Sequence, residues 1–228
     1  SVKNATASFV GSPDVCDYFD FSVAPGYEKE FVSALLDDLS DRNVTDLDLR
    51  NLRPESIVFS HLPEIIHDRN GLCSFEPDDV SVEMDLPPNW DEYLERLDGK
   101  QRHEVRRKLR KLHDEFATEL LVFQNAEEVE DQFDAFLKMF RDSRSDKAAF
   151  MDSRMERFFR LMTRAMADEG ILRLFMLSVD RAPRAAALCF DYRDTVYLYN
   201  SGYDPRYSSL SIGLLCKILS IRHSIEVG

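Results

Sequence analysis

Residues 171–203, "ILRLFMLSVDRAPRAAALCFDYRDTVYLYNSGY", constrain the fold more than any other stretch of the chain. Apolar side chains follow a strand period here, and the turn signals "RAPR" and "RD" divide the stretch into three segments. It therefore predicts three strands joined by two tight hairpins. Upstream, "TELLVFQ" reads as a strand, and "EEVEDQFDAFLKMFRDSR" repeats Val129, Phe133, Phe136, Leu137 and Phe140 at helical spacing. "DSRMERFFRLMTRAMADEG" predicts a second helix, with Asp152 as its N-cap and Gly170 as its stop. After Asp204-Pro205, Leu210, Leu214, Ile218, Ile221 and Ile225 share one side of a helix predicted over 209–226. The order is β-α-α-β-β-β-α.

Residues 1–85 predict a complementary set. A strand in "VCDYFDFSVAP" leads to a helix in "GYEKEFVSALLDDLS", a strand in "VTDLDLR", a helix in "PESIVFSHLPEIIHDRN" and two short strands within "LCSFEPDDVSVEMDLP". At the other end, a sheet edge followed by a helix and then by Glu226-Val227-Gly228 is expected to continue into a parallel strand beside "TVYLYNSGY". The chain is thus expected to hold two related half-domains of an α/β fold with both ends truncated. Residues 1–85 form the second half of one domain; residues 86–228 form a basic helix and the first part of another, lacking its final strand and helix.

Charge raises a separate question. The net charge is −13, yet "KQRHEVRRKLRKLH" at 100–113 carries Lys100, Arg102, Arg106, Arg107, Lys108, Arg110 and Lys111 against the single acid Glu104. A nucleic-acid-binding domain spreads its basic excess over a whole face, so a segment this local argues against that class. Val105, Leu109, Leu112 and Phe116 make an apolar stripe, which predicts an amphipathic helix docked on a core. "NWDEYLERL" before it predicts another helix, broken near Gly99. The arginines beside the stripe have two open readings: a solvated or interdomain face, or a site for an anionic substrate, since guanidinium forks match phosphate geometry. "SRSDKAAFMD", with Arg144 and Lys147, has the same two readings, an exposed interhelix loop being the plainer one.

Other classes are excluded on pattern. "GILRLFMLSV" and "SIGLLCKILSI" are too short or interrupted to span a bilayer. Cys16, Cys73, Cys189 and Cys216 are far apart without a C-x-x-C pair, which predicts buried thiols, a reducing compartment and a cytoplasmic location. The sequons at Asn4 and Asn43 matter only in a secreted protein. His61, His67, His103, His113 and His223 show no metal-ligand spacing, so no metal is expected, and neither a phosphate-binding glycine loop nor a G-x-S-x-G elbow occurs.

"VCDYFDFSVAPGYEKEFVSALL" and "VYLYNSGYDPRYSSLSIGLLCKIL" share a plan of aromatic strand, proline turn and amphipathic helix. With the element order and with "DLDLRNLR", "YLERLDGKQRHEVRRKLRKL", "SRSDKAAFMD" and "YLYNSGYDPRYSSLSIG", the chain resembles the GNAT acyltransferase superfamily. The resemblance is to its double-domain branch of bacterial acetyltransferases associated with cellulose and exopolysaccharide synthesis, related to Fem-type aminoacyl transferases. It implies a GNAT-like mixed sheet flanked by helices. It also implies an acyl-CoA-dependent N- or O-acyltransferase of the acetyltransferase kind, using acetyl-CoA or another acyl-CoA and acting on a small-molecule or carbohydrate acceptor. A noncatalytic interaction module and an aminoacyl-tRNA-dependent transferase are the alternatives.

The resemblance also implies a site. The strand before the last helix carries a bulge whose freed backbone groups hold the pantetheine arm; Asn200-Ser201-Gly202 fits that bulge or an ordinary strand end. The next helix N-terminus takes the pyrophosphate. Superposing Gly213 on the last small residue of the family loop Q/R-x-x-G-x-G/A puts Ser208 and Ser211 at the Gln/Arg and first Gly. Ser201, Ser208, Ser209, Leu210, Ser211, Ile212 and Gly213 are then the acyl-CoA-binding candidates, a serine-rich cap being the other reading. Tyr199, Asn200, Tyr203 and Asp191 are the catalytic candidates, with Asp204 nearby. Arg144, Lys147, Arg106 and Arg110 are the substrate-binding candidates. In the first half, Glu28 and Glu30 stand where phosphates would approach, which implies a degenerate copy serving structure or acceptor recognition, with any active site in the second half.

Overall fold

The structure is a computed structural model that describes residues 5–12 and 14–228. The sequon at Asn4 lies outside the described residues. The chain divides into two compact units, Ser1–Glu83 and Met84–Gly228.

In the first unit β1 (Ala5–Ala7) pairs in parallel with β2 (Val44–Leu47), and α1 (Glu28–Asp41) packs on α2 (Ile57–Asp68). Ser56 caps α2 by accepting the Phe59 N–H at 3.1 Å. Among the described residues of this unit Val32, Val58 and Leu62 are the buried apolar ones, ringed by half-buried side chains that include Phe9, Phe21 and Leu47. Residues 15–25 are not the strand expected of them. Phe19 makes one parallel bridge to Leu52, and the carboxylate of Asp20 accepts the backbone N–H groups of Phe21 and Ile57. A short acidic side chain that binds nearby backbone competes with a ladder, which accounts for the difference. The two strands expected in 72–87 are absent as well, that stretch being neither helix nor strand. Its apolar residues Val80 and Val82 stand 83% and 92% exposed, so no burial rewards pairing.

The second unit is a four-stranded antiparallel sheet in the order β3 (Thr118–Phe123), β4 (Leu172–Val179), β5 (Ala182–Tyr192), β6 (Thr195–Tyr203). Two-residue turns with both residues at positive φ join the hairpins, Asp180 and Arg181 at 51° and 65°, Arg193 and Asp194 at 50° and 59°. Such turns match the right-handed strand twist. The first falls ahead of the "RAPR" expected, and Pro183 belongs to β5, opposite Ser178 beside a register shift where its missing N–H is tolerated.

Alternation sorts the sheet residues onto two faces. Phe175, Leu177, Val179, Ala185, Ala187 and Cys189 pack against α3 (Trp90–Arg96), α4 (Gly99–Glu115) and α8 (Ile212–Val227). Leu174, Met176 and Leu188 point the other way, where α5 (Ala126–Ser143) and α7 (Ser153–Asp168) bring the fully buried Phe133, Phe136, Phe140 and Phe159. Asp152 caps α7 by accepting the Met155 N–H at 2.7 Å, and Gly170 stops it at φ +73°. This mixed α/β arrangement of sheet and flanking helices is the fold class expected from the sequence.

Several details differ. "SRSDKAAFMD" is not an open loop, because Ser145–Phe150 form a short helix, α6, whose Phe150 ring meets Phe140 and Phe159. The last helix does not run unbroken from 209. A 3₁₀ turn at Pro205–Leu210 ends at Ser211, which has left-handed backbone at φ 55°, ψ 39°, and α8 starts afterwards. Of the expected stripe Leu210, Ile218 and Ile225 are buried and Leu214 is exposed, while Ile212, Leu215 and Cys216 are buried beside them. The cysteines are free, but only Cys189 and Cys216 are buried; Cys73 is exposed and Cys16 half-buried.

Candidate active site

The basic helix α4 begins in a capping box, Asp98 accepting the Gln101 N–H at 2.7 Å while Gln101 accepts that of Asp98. Its stripe docks it, with Val105 and Leu112 buried against the α8 side of the core. The charges then divide. Arg107 binds Glu104 through paired hydrogen bonds at 2.8 Å, which holds that carboxyl down at about 2. Lys108 turns toward α8 and donates to the Ser211 hydroxyl at 2.7 Å, with Glu104 at 3.5 Å. Arg106 and Arg110 remain exposed, without an ion-pair partner among the described residues. The block is therefore one amphipathic helix that delivers a single lysine to the start of α8.

β6 is an edge strand of the described sheet. Its register against β5 slips between Leu188–Asn200 and Cys189–Leu198, leaving Tyr199 as the inserted residue. The bulge thus falls one residue ahead of the stretch expected, Asn200-Ser201-Gly202. Gly202 serves another purpose: a Cβ there would stand 2.4 Å from the Phe140 backbone N and 2.6 Å from the Met139 carbonyl carbon, so α5 lies directly on the strand. Below the bulge, Asp204 donates its backbone N–H to the Arg184 carbonyl at 2.8 Å. Hydrogen-bonded and non-bonded pairs alternate along an antiparallel ladder, so the N–H and C=O groups of Ser201 and Tyr203 point away from β5, toward the open edge.

Lys147, on α6, reaches that edge. Its Nζ donates to the Ser201 carbonyl at 2.5 Å and lies 4.7 Å from the centre of the Phe140 ring. Burial, then the charges of Lys217 and Arg144, push its pKa down. Arg144 itself is exposed and paired with Asp146 at 2.6 Å.

The loop candidates lie around the start of α8. Ser208 and Ser209 are exposed in the 3₁₀ turn, Leu210 and Ile212 are buried, and Ser211 takes the left-handed backbone that glycine favours. Gly213 packs on Tyr203, a Cβ there coming 3.0 Å from the ring. Any side chain at 213 must therefore displace Tyr203.

The catalytic candidates are spread along β5 and β6. Tyr199 packs between Phe190 and Phe159, ring centres 5.0 and 5.7 Å apart, and Asn200 faces Leu188 in the register. Asp191 sits opposite Val196, far along the hairpin from Tyr203, and pairs with Arg173 at 3.2 Å. Asp204 is 11% exposed at its side chain, bound by Arg206 at 2.6 Å and Arg184 at 3.1 Å; the Arg206 hydrogen bond first of all holds its carboxyl at about 2. The structure thus gathers Ser201, Tyr203, Ser211, Gly213 and Lys147 around one end of the edge strand, and leaves Asp191, Arg106 and Arg110 away from it. Lys108 and Lys217 are the residues that sequence reasoning passed over. For Lys108 the signal was present, since its position between Leu109 and the 104–105 turn flanks the apolar stripe.

A family model described as an acetyltransferase (GNAT) domain matches residues 99–228, more than half of the chain, and its first matched residue is the first residue of α4. No curated protein matches. The basic helix, the sheet and α8 thus fall within one family domain, and the chain belongs to the GNAT acetyltransferase family, whose members use acyl-CoA as co-substrate.

Proposed function

We propose that the second unit binds acyl-CoA along the open edge of β6 and transfers the acyl group to an amine or hydroxyl of a small acceptor, a sugar or polysaccharide precursor, as in the double-domain branch that the sequence resembles. The observation that carries this reading is the juxtaposition of the outward backbone groups of Ser201 and Tyr203 with the first turn of α8 and with Lys108.

Bound acyl-CoA supplies an acyl group activated as a thioester. Lys108 and the free N–H groups of the first turn of α8 hold the pyrophosphate, where charge and helix dipole act together. Ser201 and Tyr203 offer backbone donors and acceptors to the pantetheine amides, and the bulge at Tyr199 aims backbone at the carbonyl to be polarised. Asp191 and Asp204 are both committed to arginines, so neither is assigned as the base. The positive surroundings of Lys147 suit an acceptor with a phosphate or carboxylate group.

Calorimetric titration with acetyl-CoA tests the reading. One molecule is expected to bind, and Lys108→Ala to weaken binding about tenfold, roughly 1.4 kcal/mol. Absence of binding would sink the reading, and an unchanged affinity in the variant would remove Lys108 from the site.

A further inference from the structure

Lys147 differs from three lysines of the exposed surface that are paired with carboxylates. Lys29 is paired with Glu64 at 2.7 Å, Lys138 with Asp142 at 2.5 Å and Lys111 with Glu115 at 4.0 Å. Lys147 instead gives its hydrogen bond to a neutral acceptor, the outward carbonyl of Ser201. Its sequence neighbour Asp146 is already held by Arg144. A half-buried ammonium without a bonded carboxylate gives up its proton at a lower pH than an exposed lysine does, and a neutral amine is a nucleophile toward activated carbonyls.

We propose that Lys147 is itself an acyl acceptor, so that the chain transfers an acyl group from acyl-CoA to Nζ of Lys147. This rests on reading the edge of β6 as the acyl-CoA site. The outward Ser201 carbonyl is an acceptor for a pantetheine amide, so occupancy of the edge competes with Lys147 for it and weakens the hydrogen bond that holds the ammonium. Burial and the neighbouring charges of Lys217 and Arg144 lower the Lys147 pKa against the opposing pull of Asp146, and loss of the carbonyl lowers it further. The lone pair of Nζ then forms a C–N bond with the thioester carbon while the C–S bond breaks. The lysine ammonium gives up two protons in all, one to the departing thiolate and one to solvent, leaving a neutral amide and free CoA thiol. The Phe140 ring beneath Nζ, itself 2% exposed, gives the acyl methyl an apolar wall.

Incubation of the full chain with acetyl-CoA, followed by peptide mass spectrometry, reads acetylation lysine by lysine. Acetyl phosphate, an acyl donor without pantetheine, is run in parallel. Lys147 is expected to be acetylated at least tenfold faster than Lys138 with acetyl-CoA, to show no such preference with acetyl phosphate, and to be protected by excess CoA. Calorimetry on the parent chain reads CoA binding separately, and Lys147→Arg is expected to leave the labelling of Lys138 unchanged. Equal labelling of Lys147 and Lys138, or the same preference with acetyl phosphate, overturns the proposal. If CoA binds and Lys147 stays unlabelled, the self-acylation fails and the acyl-CoA site stands; if CoA does not bind, both fail.

Discussion

Gly202 shows at the scale of one residue how far a sequence reaches. A glycine near a strand exit reads as conformational freedom for a bulge, but the bulge is at Tyr199 and Gly202 lacks a side chain because the α5 backbone lies where a Cβ would be. Close approach between elements distant in sequence leaves no local pattern to read. Backbone cannot swing aside as a side-chain tip can, so Gly202→Ala should cost about 1–3 kcal/mol, the usual range for overpacking. A urea denaturation midpoint equal to the parent's would refute this. Asp204 was more legible, since Asp-Pro marks a helix start, although its two arginine partners were not. Its folded-state pKa lies below the ordinary carboxylate value, so its contribution to stability is present above the unfolded pKa near 3.8 and lost as pH falls through about 2. Asp204→Asn should therefore lower stability at pH 7 by about 1–3 kcal/mol, the range for hydrogen bonds to charged groups. The gap from the parent should close as pH falls from about 4 to about 2; a gap independent of pH would show that the charge is not its source.

Among elements, those with strong periodicity were readable and those set by backbone geometry were not. The three strands of 171–203, α5, α7 with its Asp152 cap, and the stripe of α4 all follow from side-chain spacing. The left-handed break at Ser211 does not, because serine carries no local signal for positive φ. It set the Ser211 hydroxyl before Lys108. The same element shows which parts of a basic helix matter. Leu112 is fully buried, so Leu112→Ala should cost about 2–5 kcal/mol. Arg106 and Arg110 are exposed without ion-pair partners among the described residues, so changing both to Gln should alter stability by less than about 0.5 kcal/mol. Chemical denaturation of the two variants checks both, and a double variant as damaged as Leu112→Ala would mean that the arginine stems pack.

The two units differ most in how much core each owns. All of the largest fully buried side chains, Phe133, Phe136, Phe140, Phe159 and Phe175 among them, lie in Met84–Gly228, within the stretch matched by the family. In the first unit, among the described residues, the buried apolar set is Val32, Val58 and Leu62, beside a cavity of about 130 Å³ lined by Phe9, Phe21, Leu39 and Leu47. Sequence patterning overstated that unit for this reason: alternation in 15–25 and 72–87 has the strand period, but a period becomes a strand only when a buried face rewards it. A small unit with so little buried surface is marginally stable, whereas the second holds the elements of a cooperative core. Limited digestion with a glutamate-specific protease should therefore cut first at Glu76 or Glu83, in the exposed stretch outside helix and strand, and leave a fragment close to 84–228 intact. That fragment should still bind acetyl-CoA, since each residue assigned to the site lies within it. Early cleavage at Glu104, Glu115 or Glu156 would show instead that the family domain depends on the residues before it, and would place the stability of the acyl-CoA site outside the second unit.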